Sequence, residues 1–175
     1  MDILANIWTY LTHSMTIIEF IATIFWLLSV YYTVKQNILC WPTWIVMVIL
    51  YVYIFFWAKL YSDAILQVIF LFLQFYGWYV WVYWWKAKNE LHVKMISNKW
   101  RIILLFLIVI LSLVWGYFMW LKTDNALPYA DAFILYLSLT AQLLLSFKIL
   151  ESWVLWIIVD VLSLWTYYTK WLYVT

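Results

Sequence analysis

The feature that most constrains this chain is a series of six apolar stretches that fill most of its length. Each is about 20 residues long, which a helix needs to cross the roughly 30 Å hydrocarbon core of a bilayer. None shows the strict polar–apolar alternation of barrel strands. The sequence therefore predicts an all-α, polytopic membrane protein with spans at 16–34, 38–58, 61–85, 101–121, 129–149 and 152–173.

The composition agrees with this class. Hydrophobic residues make up 70% of the chain and charged residues 10%, whereas a soluble domain carries about 25% charged residues. The single cysteine, Cys40, excludes an internal disulfide framework and a multi-cysteine metal site. The net charge of +2 is too small to indicate a nucleic-acid partner. We expect membrane lipid around the chain, and no metal or cofactor.

Basic residues predict the orientation, because cytoplasmic loops carry an excess of Lys and Arg. One side of the membrane would hold seven of them: Lys35, Lys86, Lys88, Lys94, Lys99, Arg101 and Lys148. The other side would hold three: Lys59, Lys122 and Lys170. This bias places the hydrophilic loop 86–100 in the cytoplasm and the N-terminus outside the cytoplasmic (inner) membrane.

The first 15 residues do not resemble a secretory signal peptide. Asp2 stands where a basic region is expected, and no small-residue cleavage site follows. We interpret 1–15 as a short interfacial segment anchored by Trp8 and Tyr10, because Trp and Tyr favour the membrane–water interface.

The two halves of the chain show an internal repeat. Trp41 and Trp44 recur as Trp153 and Trp156, an offset of 112 residues (153 − 41). The same offset pairs Glu19 with Asp131 and Leu60–Tyr61 with Leu172–Tyr173, and a slip of one residue pairs Lys35 with Lys148. Since each copy holds three helices, two parallel copies need one helix between them.

The repeat predicts three parts after the N-terminal segment. Residues 16–85 form the first three-helix repeat, 86–121 the cytoplasmic loop and linker helix, and 122–175 the second repeat. The predicted fold is a SWEET-like arrangement of three, one and three helices with its pocket near the bilayer midplane. The last helix of the second repeat is absent. Either the chain is truncated or a partner completes a six-helix variant, and we favour truncation.

Several motifs carry a resemblance to a known family. They are VKQNILCWP (34–42), KLYSDAILQ (59–67), QFYGWYVW (74–81), PYADA (128–132), TAQLLLSFK (140–148) and ESWVLWIIVDV (151–161). In this combination, collinear over 16–173, the chain resembles the PnuC-type transporters. The resemblance implies a homotrimeric carrier that moves a vitamin precursor by facilitated diffusion, with trapping by a cytoplasmic kinase. Nicotinamide riboside is the implied substrate, and thiamine or another vitamin is the alternative. The family has a further helix after the stretch matching 170–175.

Asp160 is the sharpest single candidate for substrate binding. It lies eight residues inside the sixth predicted span, about 12 Å into the membrane at 1.5 Å per residue. An ionisable group at that depth costs roughly 2.5–3.5 kcal/mol to insert and is a functional candidate by default. The alternative is a helix–helix hydrogen bond within the bundle.

Amide and hydroxyl side chains supply further candidates. Gln67 and Gln74 share one face of the third span, and Trp78 extends that face one turn further. Thr140 and Gln142 are the central polar residues of the fifth span. Amides both donate and accept, which suits sugar hydroxyls and a carboxamide. Hydrogen bonds between helices are the alternative role.

The repeated tryptophans Trp41, Trp153 and Trp156 are candidates for stacking on the substrate. A cationic ring over an indole face gains roughly 0.5–2 kcal/mol, and nicotinamide riboside and thiamine both carry such a ring. Interfacial anchoring is the alternative. No Lys or Arg falls deep inside a span, which favours an unphosphorylated substrate.

Two other classes of protein fit the sequence less well than a transporter. An intramembrane enzyme is disfavoured because His13 and His92 fall outside the spans, and because Asp131 and Asp160 lie at different depths. A structural membrane subunit that binds no small molecule is the lesser alternative. Asp160 and the polar face of the third span speak against it.

Overall fold

The structure is a computed structural model, and it describes residues 17–57, 61–86, 92–123 and 126–174. The described residues form six helices: α1 (Ile17–Val34), α2 (Cys40–Trp57), α3 (Tyr61–Lys86), α4 (Asn98–Lys122), α5 (Pro128–Ser146) and α6 (Glu151–Val174). The predicted all-α class is confirmed. The predicted interfacial segment 1–15 lies outside the described residues.

Five helices are long and apolar enough to cross a membrane: α1, α2, α4, α5 and the part of α3 from Ala64 to Tyr83. They make the chain a multi-pass membrane protein. With 24 residues α6 is also long enough, but it is not among the five. Asp160 and several hydroxyl-bearing residues lower its mean hydropathy, so the sixth crossing stays a prediction.

Local sequence explains where the helices begin. Both prolines of the chain lie in a first turn, Pro42 in α2 and Pro128 at the start of α5. Proline is tolerated there because the first amide groups of a helix have no intrahelical acceptor. The hydrophilic loop predicted at 86–100 is shorter than expected, since α3 continues to Lys86 and α4 already begins at Asn98.

The chain divides into two compact units, unit 1 (Met1–Lys86) and unit 2 (Ala87–Thr175). In unit 1, α2 packs against both α1 and α3. In unit 2, α5 packs against both α4 and α6. The helix predicted as a linker, α4, is therefore a packing partner of α5.

Unit 1 is held together by contacts that α2 makes on two sides. The Trp44 indole Nε1 donates to Thr33 Oγ1 of α1 at 3.2 Å. On the other side Trp41 meets Trp81 of α3 edge to face, with ring centroids 5.4 Å apart. Such aromatic pairs add about 0.5–1.5 kcal/mol beyond the area they bury.

Unit 2 relies on one very close helix–helix approach. A Cβ added at Gly116 of α4 would lie 2.5 Å from Tyr129 Cδ1 of α5. Below this contact a core forms around Ile108, Leu137 and Val159. Small residues allow such approaches between membrane helices, where packing replaces the hydrophobic effect as the driving force.

Hydroxyl groups in the helices mostly bond within their own helix. Each of several serines and threonines donates to the carbonyl oxygen four residues earlier: Thr23, Ser29, Thr33, Ser112, Ser138, Thr140 and Ser146. This back-bonding satisfies the hydroxyl without a second helix.

The turn between α1 and α2 and the turn between α5 and α6 have the same backbone geometry. Gln36 and Lys148, 112 residues apart, both have left-handed φ angles, 51° and 52°. Equivalent hydrogen bonds run from Asn37 N to Tyr32 O (2.9 Å) and from Ile149 N to Leu144 O (3.0 Å). This register pairs Gln36 with Lys148, so the one-residue slip that paired Lys35 with Lys148 is unnecessary. The wider three-helix repeat stays a prediction.

Candidate functional site

The candidates on α3 lie along one helix but differ in burial. Gln74 is buried, whereas Gln67 and Trp78 are partly buried. Because Trp81 contacts Trp41 of α2 and lies seven residues after Gln74, Gln74 is on the α2-facing side of α3. Gln74 is therefore a helix–helix residue within unit 1, and Gln67 and Trp78 remain partly accessible.

Trp41 is enclosed by its own unit. It is 1% exposed, and its Nε1 has no hydrogen-bond partner among the described residues. A buried donor without a partner is destabilising by about 1–3 kcal/mol. Packing against Trp81 accounts for the position of Trp41, and no open indole face is presented within unit 1.

The candidates on α5 are held within unit 2. The Thr140 hydroxyl donates to Tyr136 O at 2.8 Å. Gln142 is 2% exposed, and its backbone carbonyl accepts from Ser146 Oγ at 3.0 Å. Both residues lie on a helix that packs on two sides, so their surroundings favour a supporting role.

The candidates on α6 occupy two faces of the helix. Trp156 packs against the core around Leu137 and Val159. Trp153 is partly buried and Asp160 is exposed. Trp153 and Asp160 are seven residues apart and therefore share a face, which is distinct from the face that meets α5.

The offset of 112 residues that relates the two turns also relates residues of α2 to residues of α6. An offset of 112 residues pairs Asp160 with Val48 and Ile157 with Ile45. Val48 is 1% and Ile45 is 8% exposed on a helix that packs against both α1 and α3, whereas Asp160 is exposed and Ile157 is 62% exposed. No described helix of unit 2 covers the equivalent side of α6. We call the surface formed by Trp153, Ile157 and Asp160 the open face of α6.

A second polar centre, at the start of α6, was not anticipated from the sequence. Glu151 Oε1 accepts from Ile96 N (3.1 Å), Arg101 Nε (2.9 Å) and Arg101 Nη2 (2.7 Å). The Glu151 side chain is 16% exposed. The sequence does place an acidic residue in the first turn of α6, which is a favourable position for a negative charge. It does not indicate the partners of Glu151, which lie about 50 residues earlier in the chain.

The electrostatics of this centre favour the charged carboxylate. Glu151 precedes the predicted span 152–173. Burial works to raise its pKa, but the pKa lies below its ordinary value because its own backbone amide, the Arg101 guanidinium and the Ile96 amide stabilise the charged form. One carboxylate thus ties the segment before α4 to the start of α6. Among the described residues no cluster of three His, Cys, Asp or Glu side chains could hold a metal ion.

Comparison with known proteins identifies the family. A family model described as nicotinamide mononucleotide transporter matches residues 16–175. Two curated relatives, the nicotinamide riboside transporters PnuC of Escherichia coli (strain K12) and Shigella flexneri, are each 26% identical, covering 83% of this chain and 72% of the relative. The transporter of the same name from Neisseria mucosa is 28% identical, and the match covers 83% of this chain and 58% of that protein.

A solved structure supports the fold. The crystal structure of the vitamin B3 transporter PnuC matches with a TM-score of 0.75 at 22% identity, covering 96% of this chain and 74% of that one. The likeness shows a shared helical fold, and the family model spans nearly the whole chain. The chain therefore belongs to the nicotinamide mononucleotide transporter family, whose members are membrane transporters and not enzymes.

Proposed function

We propose that this chain carries an unphosphorylated vitamin precursor across the membrane, with nicotinamide riboside as the first candidate. The family description names nicotinamide mononucleotide, whereas the curated relatives are named for nicotinamide riboside. The two compounds differ by one phosphate. Charge inside the helices therefore discriminates between them.

The distribution of charged side chains within the helices is the main support for this proposal. No Lys or Arg occurs within 17–34, 40–57, 61–85, 102–121, 128–146 or 151–169. Phosphate recognition uses such cations or exposed helix N-termini. Asp160 is the acid farthest from the ends of its helix, and it would repel a phosphate but attract a cationic ring. The helix interiors thus favour the riboside.

The site is proposed around side chains that remain accessible within their own unit. Asp160 would be the counter-charge of the cationic ring, and Trp153, on the same face of α6, would stack on it. In unit 1, Gln67 and Trp78 of α3 are proposed separately, Gln67 for a hydrogen bond to the substrate and Trp78 for stacking. Residues that are more buried or already bonded in their unit are proposed as supporting residues of the site: Trp41, Gln74, Thr140, Gln142 and Trp156.

Calorimetric titration of the purified chain tests this proposal. We expect nicotinamide riboside to bind and the mononucleotide to bind at least tenfold more weakly. Asp160→Ala should weaken riboside binding about thirtyfold, about 2 kcal/mol, because the cation loses its counter-charge. Trp153→Ala should weaken it less. Equal affinity for both compounds would contradict an unphosphorylated substrate.

The role of Asp160 needs its own control, because a helix–helix hydrogen bond is the competing explanation. If a further helix covers the open face of α6, as α3 covers α2, Asp160 would lie at a buried contact like Val48. Asp160→Asn separates the two roles, since the amide keeps hydrogen bonding but removes the charge. A counter-charge predicts that Asn weakens binding as much as Ala. Unchanged affinity in folded Asp160→Asn would make the residue structural.

Thiamine is the second candidate substrate. An acid and an indole on one face of α6 suit any cationic aromatic ring, not the nicotinamide ring alone. The same titration with thiamine decides between them. A structural membrane subunit, the lesser alternative, would bind neither compound and would show no ligand-induced thermal stabilisation.

The transport mode is proposed as facilitated diffusion with trapping by a cytoplasmic kinase, in a homotrimer. Proteoliposomes loaded with or without a riboside kinase test it. Uptake should stop at equal concentrations without the kinase and continue with kinase and ATP. Accumulation driven by an ion gradient alone would contradict facilitated diffusion. Light scattering of the solubilised protein would report the trimer.

The architecture is proposed as two parallel repeats in the inner membrane with the N-terminus outside. The equal geometry of the α1–α2 and α5–α6 turns at one constant offset supports the repeat. Single cysteines at Lys94 and Lys122, in a Cys40→Ala background, test the orientation. An impermeant thiol reagent applied to whole cells should label position 122 and spare position 94. The reverse pattern would invert the topology.

A further inference from the structure

A cluster of basic residues forms where the segment before α4 meets the turn between α5 and α6. Lys94 N donates to Lys148 O at 3.2 Å, and Leu150 N donates to Lys94 O at 3.0 Å. This short parallel bridge pairs Lys94 with Ile149 and brings the backbone of Lys94 next to that of Lys148. Lys99 and Arg101 follow in the first turn of α4. We call Lys94, Lys99, Arg101 and Lys148 the basic patch.

Specific hydrogen bonds hold the backbone that carries the basic patch. Glu151 binds both the Ile96 amide and the Arg101 guanidinium, so it holds the segment 92–101 against the start of α6. Arg101 also donates to Asn98 Oδ1 at 3.1 Å. Glu151 is the single acid within 92–101 and 147–152, whereas the same two ranges hold four lysines and arginines. A positive surplus therefore remains at this end of unit 2.

Exposed apolar side chains accompany the basic ones. Val93, Met95, Trp100 and Leu150 are all exposed in unit 2. Apolar and indole groups next to lysines are typical of segments that lie at the membrane interface. The patch also lies at one end of α4, a helix long and apolar enough to span the bilayer. Its lysines would therefore be level with lipid headgroups.

Two other ends of the described helices differ from the patch. At the opposite end of α4, Lys122 is followed by Thr123 with no second basic residue beside it. In unit 1, the equivalent turn has Gln36 in place of Lys148 and Leu39 in place of Glu151. Neither end combines several cations with a carboxylate anchor. The backbone of the turn is shared, and the patch is specific to unit 2.

We propose that the basic patch is a binding site for the headgroups of anionic phospholipids, independent of the substrate site. The lysine ammonium groups would pair with the lipid phosphates, and the exposed apolar side chains would contact the adjoining acyl chains. Juxtamembrane lysines and arginines bind anionic lipid in this way, each gaining roughly fivefold in affinity. The binding would fasten the start of α4 and α6 to one leaflet.

The first test compares lipid binding by two variants of equal charge. Lys94→Gln with Lys99→Gln removes two patch charges, and Lys35→Gln with Lys122→Gln removes two charges elsewhere. Lys148 is left in place because its left-handed backbone makes substitution ambiguous. Native mass spectrometry with phosphatidylglycerol and phosphatidylcholine gives the affinities. We expect the patch variant to lose about thirtyfold for phosphatidylglycerol and the control variant less than fivefold. Equal losses of affinity in the two variants would indicate a general electrostatic attraction between lysines and anionic lipid, and would overturn the proposal.

The second test separates a built patch from charge alone. Glu151→Ala makes the patch more positive and removes the acceptor of the Ile96 amide and the Arg101 guanidinium. General electrostatics predicts tighter binding of phosphatidylglycerol, whereas a patch that Glu151 assembles predicts weaker binding. Tighter binding would overturn the proposal. Competition with inorganic phosphate distinguishes the source of the anion, since displacement of the lipid at millimolar phosphate would indicate a free-phosphate site. None of these variants changes a proposed substrate residue, so riboside titration serves as an independent control.

Discussion

The turns of the two units share one backbone but differ in what surrounds them. In unit 1 the turn is stabilised locally, because Asn37 Oδ1 accepts from Leu39 N at 2.9 Å. In unit 2 the position equivalent to Leu39 is Glu151, which binds residues 50 to 55 positions earlier. The comparison shows that local hydrogen bonds set the turn, while the side chains at equivalent positions serve different partners in each unit.

The helices that follow these turns differ in the same way. Val48 of α2 is buried on a helix that packs against both α1 and α3, and the equivalent Asp160 of α6 is exposed. One helix face has become a packing surface and its counterpart carries a charge. If the two positions differ in burial, then Val48→Asp and Asp160→Val should change the thermal stability by very different amounts.

That exchange should give the largest effect. Val48→Asp places a carboxylate at a buried position of α2, and an effective penalty of several kcal/mol is expected for a buried unpaired charge. Asp160→Val should leave thermal stability unchanged or raised, because it removes a charge from an apolar helix. Thermal unfolding in detergent measures both. Similar losses in the two variants would mean that the open face of α6 is covered as tightly as its counterpart.

Removing the Glu151 anchor should come next. Glu151→Ala leaves the Arg101 guanidinium and the Ile96 amide without their acceptor, and we expect a loss of about 2–3 kcal/mol. Leu39→Ala, at the equivalent position in unit 1, is the matched control and should lose less than about 1 kcal/mol since the side chain is exposed. A double-mutant cycle with Arg101→Ala would isolate the ion pair. Additive losses would argue against coupling.

A smaller effect is expected at the contact between α4 and α5. Gly116→Ala forces the Tyr129 ring to move, and overpacking of this kind costs about 1–3 kcal/mol. The residue equivalent to Tyr129 in unit 1 is Ile17, which is exposed, so Ile17→Ala should change little. Tyr129→Leu should relieve part of the loss in the Gly116→Ala variant, because the ring contact is removed while the Tyr129 Cα, 3.0 Å from the added Cβ, stays. No relief would show that the ring contact is not the cause of the loss and would assign it to the backbone contact.

The smallest effect concerns pH. The pKa of Glu151 lies below its ordinary value of 4.5 in the folded chain. Its contribution to stability is therefore fully present above pH 4.5 and is lost as the pH falls below that value through the folded pKa. Stability measured between pH 6 and pH 3 should fall less in Glu151→Gln than in the unmodified chain. Parallel curves would show that other carboxyl groups dominate.

Much of the fold was predictable because it follows from local signals. The length of the apolar stretches predicted the helices, and charged residues such as Lys35 and Lys122 lie close to the ends of these helices. The repeat of Trp41 as Trp153 anticipated the matching turns. Pairing Lys35 with Lys148 followed chemical identity, whereas the turn is set by backbone hydrogen bonds, and for that reason the pairing was one residue out of register.

The site was less predictable from the sequence. Hydropathy indicates how deep a residue lies in the membrane, but it does not indicate which neighbouring helix its side chain faces. The depth of Asp160 is readable from its place in an apolar run, but its exposure depends on which neighbour covers α6. Gln74 and Gln67 share a face by periodicity, yet contact with α2 buries Gln74 and leaves Gln67 partly exposed. The Glu151–Arg101 pair joins residues 50 positions apart, and no periodic pattern signals such a pair.

The back-bonded hydroxyls of the helices bear on how the chain is made. A polar group without a hydrogen-bond partner is costly in the bilayer core, because nothing in lipid can replace its bond to water. Here residues such as Ser29, Ser112 and Ser146 carry their acceptors on the same helix. Each helix can therefore leave the translocon with these hydroxyls already satisfied. Biogenesis need not wait for a later helix to be synthesised before an earlier one settles in the membrane.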